Sequence, residues 1–276
     1  MRNDSFLRTL TTAAVVCLVC SMLVSAATVA LRPLQERNRA WDRKRNVLLA
    51  AGLIDENATA DIDALFRQIE PQVIDLDTGK AVDGIDPETF DAVAFQRNPQ
   101  TSRTLSSAED LAGLKCRERY ELVYLLRNNG RLQRVVLPVR GKGLWSTMWG
   151  LVALGPDLNT VESFAFFAHG ETPGLGGEVD NPRWKALWIG KKAFDAQGRP
   201  RLEVIKGAVD PQSPEAVHQV DGLSGATLTG NGVTNLLRFW LGEQGYGPLL
   251  ERLRAESAVA ADPAPAAAHA SSRPAT

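Results

Sequence analysis

The chain has 276 residues, 31 Lys and Arg against 32 Asp and Glu, and a formal net charge of -1. That length holds one sizeable domain, or two small ones, with a real core, and a near-neutral balance argues against nucleic-acid binding, whose affinity rests on basic surface. Of its 3 Cys, two lie in one N-terminal apolar run and only Cys116 lies outside it, so a disulfide framework is excluded.

No charge occurs between Arg8 and Arg32, and the run from Leu10 to Leu31 is rich in Ala, Val and Leu. About 22 residues of helix at ~1.5 Å each reach roughly 33 Å, enough for the hydrocarbon core of a bilayer. A cleaved signal peptide competes, since Ser25-Ala26-Ala27 resembles a cleavage site. The apolar run continues past that site to membrane-spanning length, which favours an uncleaved anchor. Cys17 and Cys20 form a Cys-x-x-Cys inside the run, but two thiols without further ligands behave there as small hydrophobes. Arg32, Arg37, Arg39, Arg43, Lys44 and Arg45 follow the span, against Arg2 and Arg8 before it. A positive-inside count places the large domain in the cytoplasm, yet large domains translocate largely regardless of such charges.

From Arg37 to Leu53 the pattern predicts a juxtamembrane helix, weakened at its end by Gly52. Asp55 to Ile69 predicts a second, shorter helix with Asn57 as a possible cap, and Asp75 to Pro99, broken by Gly and Pro, reads mostly as loop. The core is expected to begin near Tyr120. Strand-like segments Tyr120 to Arg127 and Leu132 to Val139 flank the hairpin signal Asn129-Gly130. Further strands are expected over Gly150 to Leu154, Val161 to Ala168 and Arg201 to Lys206. Antiparallel strands with a few helices indicate an α+β class, a mainly antiparallel sheet flanked by helices. Trp184, Trp188 and Trp240 read as core or interface. After Glu256 the chain turns Ala- and Pro-rich and lacks apolar periodicity, the composition of a disordered tail. The expected segments are therefore residues 1–8 (a cytoplasmic N-terminus), 9–32 (span), 33–119 (juxtamembrane helices and loops), 120–255 (core) and 256–276 (tail).

The stretch from Asp221 to Gly232 sets the hydroxyls of Ser224, Thr227 and Thr229 among glycines, directly before Val233, Leu236, Leu237 and Trp240 at the spacing of one helical face. Ser, Thr and Gly before such a run start helices, and a helix start suits a phosphate. Most glycine-rich helix entries merely cap the helix, and this one fits neither a Walker pattern nor a Rossmann fingerprint. Two further glycine-rich stretches end strands: Gly141-Lys142-Gly143-Leu144-Trp145, and Glu171-Thr172-Pro173-Gly174-Leu175-Gly176-Gly177 after His169. Convergent loops of this kind let backbone approach a flat ring, while Leu144, Trp145 and Leu175 offer apolar cover. His169, His218 and His269 show no metal-ligand spacing, so no metal is expected.

Asp221-x-x-Ser224-Gly225-Ala226-Thr227 resembles the acceptor motif for covalently attached FMN, in which a flavin transferase joins the FMN phosphate to the last threonine. The residues Gly-Lys-Gly-Leu-Trp-Ser-Thr-Met from Gly141, Glu-Thr-Pro-Gly-Leu-Gly-Gly from Glu171, and Lys206-Gly207 precede that motif in order. With the single N-terminal span, the chain resembles the C subunit of the sodium-translocating NADH:quinone oxidoreductase, from about Arg8 to about Arg254. The G subunit of Rnf-type electron-transport complexes is a more distant likeness, and Gly177 to Lys185 favours the former.

The resemblance implies FMN held through its phosphate on Thr227, with Gly143, Leu144, Trp145, Glu171, Thr172, Pro173, Gly174, Leu175, Gly176, Lys206, Asp221, Ser224, Gly225, Ala226 and Thr229 around it. Thr229 is a nearby hydroxyl that the motif does not select. Lys206 and Glu171 are candidates for tuning or contacting the flavin, or else plain surface and turn charges; Asp221 caps the loop or meets the transferase. The implied role is an electron relay from an iron–sulfur centre in the membrane subunits to the FMN of a neighbouring subunit, on the way to ubiquinone. Its partners are the other membrane and peripheral subunits of one complex, with no catalysis by this subunit alone. The implied location is the bacterial inner membrane, with the large domain periplasmic. From another functional class, a membrane-anchored sensor domain gripping a phosphorylated ligand reversibly would also use such a loop.

Overall fold

The computed structural model describes residues 2–55 and 58–261. The chain divides into two compact units, Met1–Arg45 and Asn46–Thr276. Helix α1, Arg2–Ala50, is continuous through Pro33 and is the one helix among the described residues long and apolar enough to cross a membrane. Its apolar side chains from Phe6 to Leu34 are exposed, whereas Val47, Leu48 and Ala50, in the second unit, are buried. The helix stops where Gly52 takes a φ of +64°, a left-handed position suited to glycine, and the amide of Leu53 returns to the Leu48 carbonyl.

The second unit is built on one antiparallel sheet. After the short helix α2 (Ile62–Phe66) come strand β1 (Ile69–Asp75), helix α3 (Ala92–Arg97) and the small ribbon of β2 (Ser102–Thr104) and β3 (Cys116–Glu118). Strands β4 (Tyr120–Asn128), β5 (Arg131–Lys142), β6 (Thr147–Leu154) and β7 (Val161–Ala168) then run as a meander, giving the order β1-β4-β5-β6-β7. The β4–β5 turn follows Asn129-Gly130, whose φ values of 51° and 77° are those of a two-residue hairpin turn.

Both faces of this sheet are covered, which explains the unbroken apolar stretches Leu122 to Leu126 in β4 and Val135 to Val139 in β5. Val123, Leu125, Val135, Leu137 and Val139 face one core with helices α5 (Thr227–Leu241) and α6 (Gly247–Ala261). Leu122, Tyr124 and Val136 face the other, with Val47, Leu48 and Ile62. Between β7 and α5 lie the five-residue helix α4 (Pro182–Ala186) and the parallel pair β8 (Glu203–Val204) and β9 (Gln219–Val220). The architecture is α+β, as expected, with a mainly antiparallel sheet.

Several local expectations need correction. The sheet does not begin at Tyr120: β1 lies at its edge, where Pro71 is tolerated because an edge strand has a side that forms no ladder. The helix expected over 55–69 shrinks to α2, started by Asp61, whose carboxylate accepts from the Ala64 amide; Asn57 lies outside the described residues. The stretch expected as loop contains α3, capped by Asp91. The strand expected over 201–206 is only β8, and the chain past Glu256 continues as α6 to Ala261, while residues 262–276 lie outside those described.

Helix α5 is held at both ends of the core. Thr234 donates to the Gly230 carbonyl and accepts from the Val204 amide at 2.9 Å, tying the helix to β8. The Trp240 indole donates to the Arg140 carbonyl at 2.6 Å, tying it to β5. Arg140 itself is buried with Glu118 and Glu121, two acids against one base. Burial, then the negative charge of Glu118, push the Glu121 carboxyl well above its ordinary value, against the pull of Arg140. A raised folded-state value means that the folded chain holds this proton where the unfolded chain has lost it. The stabilisation is complete below the ordinary glutamate value of ~4.3 and is lost as pH rises through the raised one, with a slope of at most about 1.4 kcal/mol per pH unit. Chemical denaturation of the full chain at stepped pH should show this decline, and Glu121→Gln should flatten it.

Candidate functional site

Four chain segments meet at the start of α5. The first is the turn from Gly143 to Ser146, between β5 and β6, closed by the Gly143 amide on the Ser146 carbonyl at 2.8 Å. The second follows β7 and runs from His169 to Gly177. The third, Lys206 to Val209, follows β8, and the fourth, Asp221 to Thr229, runs from β9 into α5.

Glu171 links the first, second and fourth. Its carboxylate accepts from the amides of Leu144 (3.2 Å), Trp145 (3.0 Å) and Ser146 (3.4 Å), and from the Thr229 hydroxyl (2.7 Å). Burial works to raise this carboxyl, but the Thr229 hydroxyl and the three amides together outweigh it and hold it below the usual carboxylate range. Glu171 is thus neither a solvated loop charge nor an acid without partners. The loop is further fixed by Ser146, whose hydroxyl oxygen accepts from the Gly170 amide at 2.6 Å. The Glu171 amide donates to His169 Nδ1 at 3.2 Å, and His169 Nε2 lies 2.8 Å from an Asp180 carboxylate oxygen. Neither Ser146 nor the role of His169 was marked in the sequence reading.

Asp221 braces the fourth segment against the third. Its carboxylate accepts from the Val209 amide at 2.8 Å, and its carbonyl accepts from the Trp184 indole at 3.0 Å. The Gly222 amide meets the Gly207 carbonyl at 2.7 Å, which brings Lys206-Gly207 alongside. The side chain of Lys206 is exposed, and among the described residues no ion pair or hydrogen bond ties it to the other three segments. Thr172, Pro173 and Gly174 form the exposed tip of the second segment. Leu175, beyond it, lies against Gly225: a Cβ there would stand 3.0 Å from a Leu175 methyl, and Gly225 has a φ of +71°.

The helix start differs from the expected one. Thr227 is the first helical residue, and its N-cap is Ala226, which supplies no side-chain acceptor to the first-turn amides. Leu223 and Ala226 are buried, while Ser224, Gly225 and Thr227 are exposed. The two threonines therefore differ sharply: Thr227 faces outward, and Thr229 is 0% exposed with its hydroxyl committed to Glu171. The same segments carry apolar side chains open to solvent, Leu144 and Leu175 about half so, Trp145 at 71% and Leu228 at 60%. Leu228 belongs to this set although the motif does not mark it.

Gly176 and Gly232 let these parts close. A Cβ on Gly176 would meet the Thr229 hydroxyl oxygen at 2.6 Å and Glu171 Oε2 at 2.9 Å; one on Gly232 would meet the Lys142 carbonyl at 2.6 Å. Neither approach is survivable without movement. Gly176→Ala should therefore break the Glu171–Thr229 contact and cost about 1–3 kcal/mol as overpacking, measured as a lowered thermal midpoint.

Comparison with known proteins agrees with this geometry. Residues 143–242, which hold all four segments, match the family model of the FMN-binding domain. The chain is 52% identical over 254 residues to the C subunit of the Na(+)-translocating NADH-quinone reductase of Pseudomonas aeruginosa, covering 91% of this chain and 97% of the relative. To the protein of the same name from Yersinia pestis it is 44% identical, over 91% of this chain and 94% of the relative. Among solved structures, Shewanella oneidensis NqrC superposes with a TM-score of 0.73 at 36% identity, over 79% of this chain and 99% of that one. Likeness of this extent, running almost end to end, means that the chain belongs to the family formed by the C subunits of the Na(+)-translocating NADH-quinone reductase, an oxidoreductase complex.

Proposed function

We propose that this chain is the electron-carrying subunit of such a complex, holding FMN by an ester between its phosphate and Thr227. The site suits that group. The α5 start presents first-turn amides to a phosphate without a competing side-chain cap, and Gly225 and Ala226 crowd the Thr227 hydroxyl little. The exposed apolar side chains of Leu144, Trp145, Leu175 and Leu228 are suited to a planar ring system. The observation that carries the choice of residue is the contrast between an exposed Thr227 and a fully buried Thr229.

Bound FMN supplies reversible electron uptake and release; the protein's share is to hold, orient and shield it. In the attachment step the Thr227 oxygen would form a bond to the flavin-side phosphorus of an activated, pyrophosphate-type flavin donor as the bond from that phosphorus to the bridging oxygen breaks; the remaining phosphate leaves, and the hydroxyl proton passes to the flavin transferase. Thr227 would carry the phosphate at the α5 start, where the dipole favours negative charge. Asp221 and Glu171 keep the surrounding segments from drifting, and Lys206 is the one exposed cation of these segments available to a phosphate or ring oxygen. A covalent tether suits a relay at an exposed site, where a dissociable cofactor would escape. The donors and acceptors of electrons are other subunits of the complex, reached with the domain on the periplasmic side of the inner membrane.

Intact mass of the chain, coexpressed with a flavin transferase, tests the reading. It should rise by one FMN less one water, and the modified tryptic peptide should carry the group on Thr227. A protein released unmodified, with flavin lost on denaturation, would mean reversible binding and a different role.

A further inference from the structure

The carboxylate of Glu171 sits among four donors contributed by two other segments, and its residue is only 5% exposed. Oε1 accepts from Trp145 and Ser146, and Oε2 accepts from Leu144 and Thr229. Only a carboxylate accepts at both ends of a forked side chain; a glutamine here would turn an NH2 toward one of these donor pairs. The space is closed by glycines, since a Cβ on Gly143 would stand 2.5 Å from Glu171 Oε1 and one on Gly176 would stand 2.9 Å from Oε2. Two of the three amides belong to Leu144 and Trp145, whose side chains are turned out to solvent, and the hydroxyl belongs to the first turn of α5, two residues after Thr227.

We propose that Glu171 is a positioning residue that, through the Thr229 hydroxyl and the amides of Leu144 to Ser146, clamps the apolar turn onto the start of α5 and so sets how the flavin on Thr227 is seated. The inference rests on Thr227 carrying FMN. Glu171 acts through its partners and needs no contact with the flavin. Hydrogen bonds to a charged group are worth about 1.5–3 kcal/mol, so loss of one shifts a closed clamp toward open by roughly tenfold or more.

The test uses the full chain matured with a flavin transferase, as wild type and as Thr229→Ser, Thr229→Val and Glu171→Gln. Each is measured for flavin content by intact mass, for flavin seating by visible circular dichroism, and for folding by thermal unfolding. Thr229→Ser keeps the donor and should match wild type. Thr229→Val keeps the shape without the donor. It should still be modified at Thr227, with the visible dichroism falling to about half or less, as expected of one charged hydrogen bond lost. Glu171→Gln should lose more of that signal. If Glu171→Gln does not fold, the serine and valine pair decides alone. Wild-type dichroism in both Thr229→Val and Glu171→Gln overturns the proposal, as does a Thr229→Ser protein as defective as Thr229→Val. Unmodified wild type instead sinks the assignment of FMN to Thr227, and the proposal with it.

Discussion

Thr227→Ala should abolish covalent flavin completely while leaving the chain folded. Alanine at the first position of a helix loses no favourable propensity, and Thr227 is exposed, so the expected cost is within about 0.5 kcal/mol. Thr229→Ala should keep the flavin on Thr227, because the buried hydroxyl of Thr229 is committed to Glu171 and is not presented to an enzyme. Its cost falls on stability, about 1–3 kcal/mol, since Glu171 loses a donor and a buried gap opens. Denaturing gel fluorescence with peptide mapping checks both variants. Flavin retained by Thr227→Ala and lost by Thr229→Ala would move the attachment to the second threonine and contradict the burial pattern.

The distinction between these two hydroxyls was available in the sequence through helix geometry. Residues two apart on a helix point to different sides, so if Thr227 is outside, Thr229 is not. What the residue order did not disclose was that the helix begins at Thr227, because Ser224 has the chemistry of a cap and Ala226 does not. The buried face of α5 was legible, since Val233, Leu236, Leu237 and Trp240 repeat at helical spacing and all are fully buried. Strand β1 was hidden by Pro71 and by a pairing partner, β4, far along the chain, which local patterning cannot show. Glu171 was singled out, but its role as a link between segments was hidden for a different reason. Its partners are mostly backbone amides, and backbone donors leave no trace in residue identity.

The same limit applies to the core, where the second large effect is expected. Arg140→Ala should destabilise the chain by about 3–5 kcal/mol, the cost of leaving buried charge without its partner. The Arg140 guanidinium forks onto both carboxylate oxygens of Glu118, reaches Glu121 at 3.3 Å, and lies between the rings of Trp149 (5.1 Å) and Trp240 (5.2 Å). Without it, the buried side chains of Glu118 and Glu121 lose the cation that both contact. Arg140→Lys keeps a charge but not the fork, so an intermediate loss is expected. Adding Glu118→Gln and Glu121→Gln to Arg140→Ala should restore part of the loss by removing the stranded charge. Because Trp240 lies in the last turn of the helix that Thr227 begins, flavin loading in these variants should fall only as the unfolded fraction rises. Urea unfolding of the series checks the order alanine, lysine, wild type. An Arg140→Ala protein as stable as wild type would show that water reaches these acids and that the core is not closed around them.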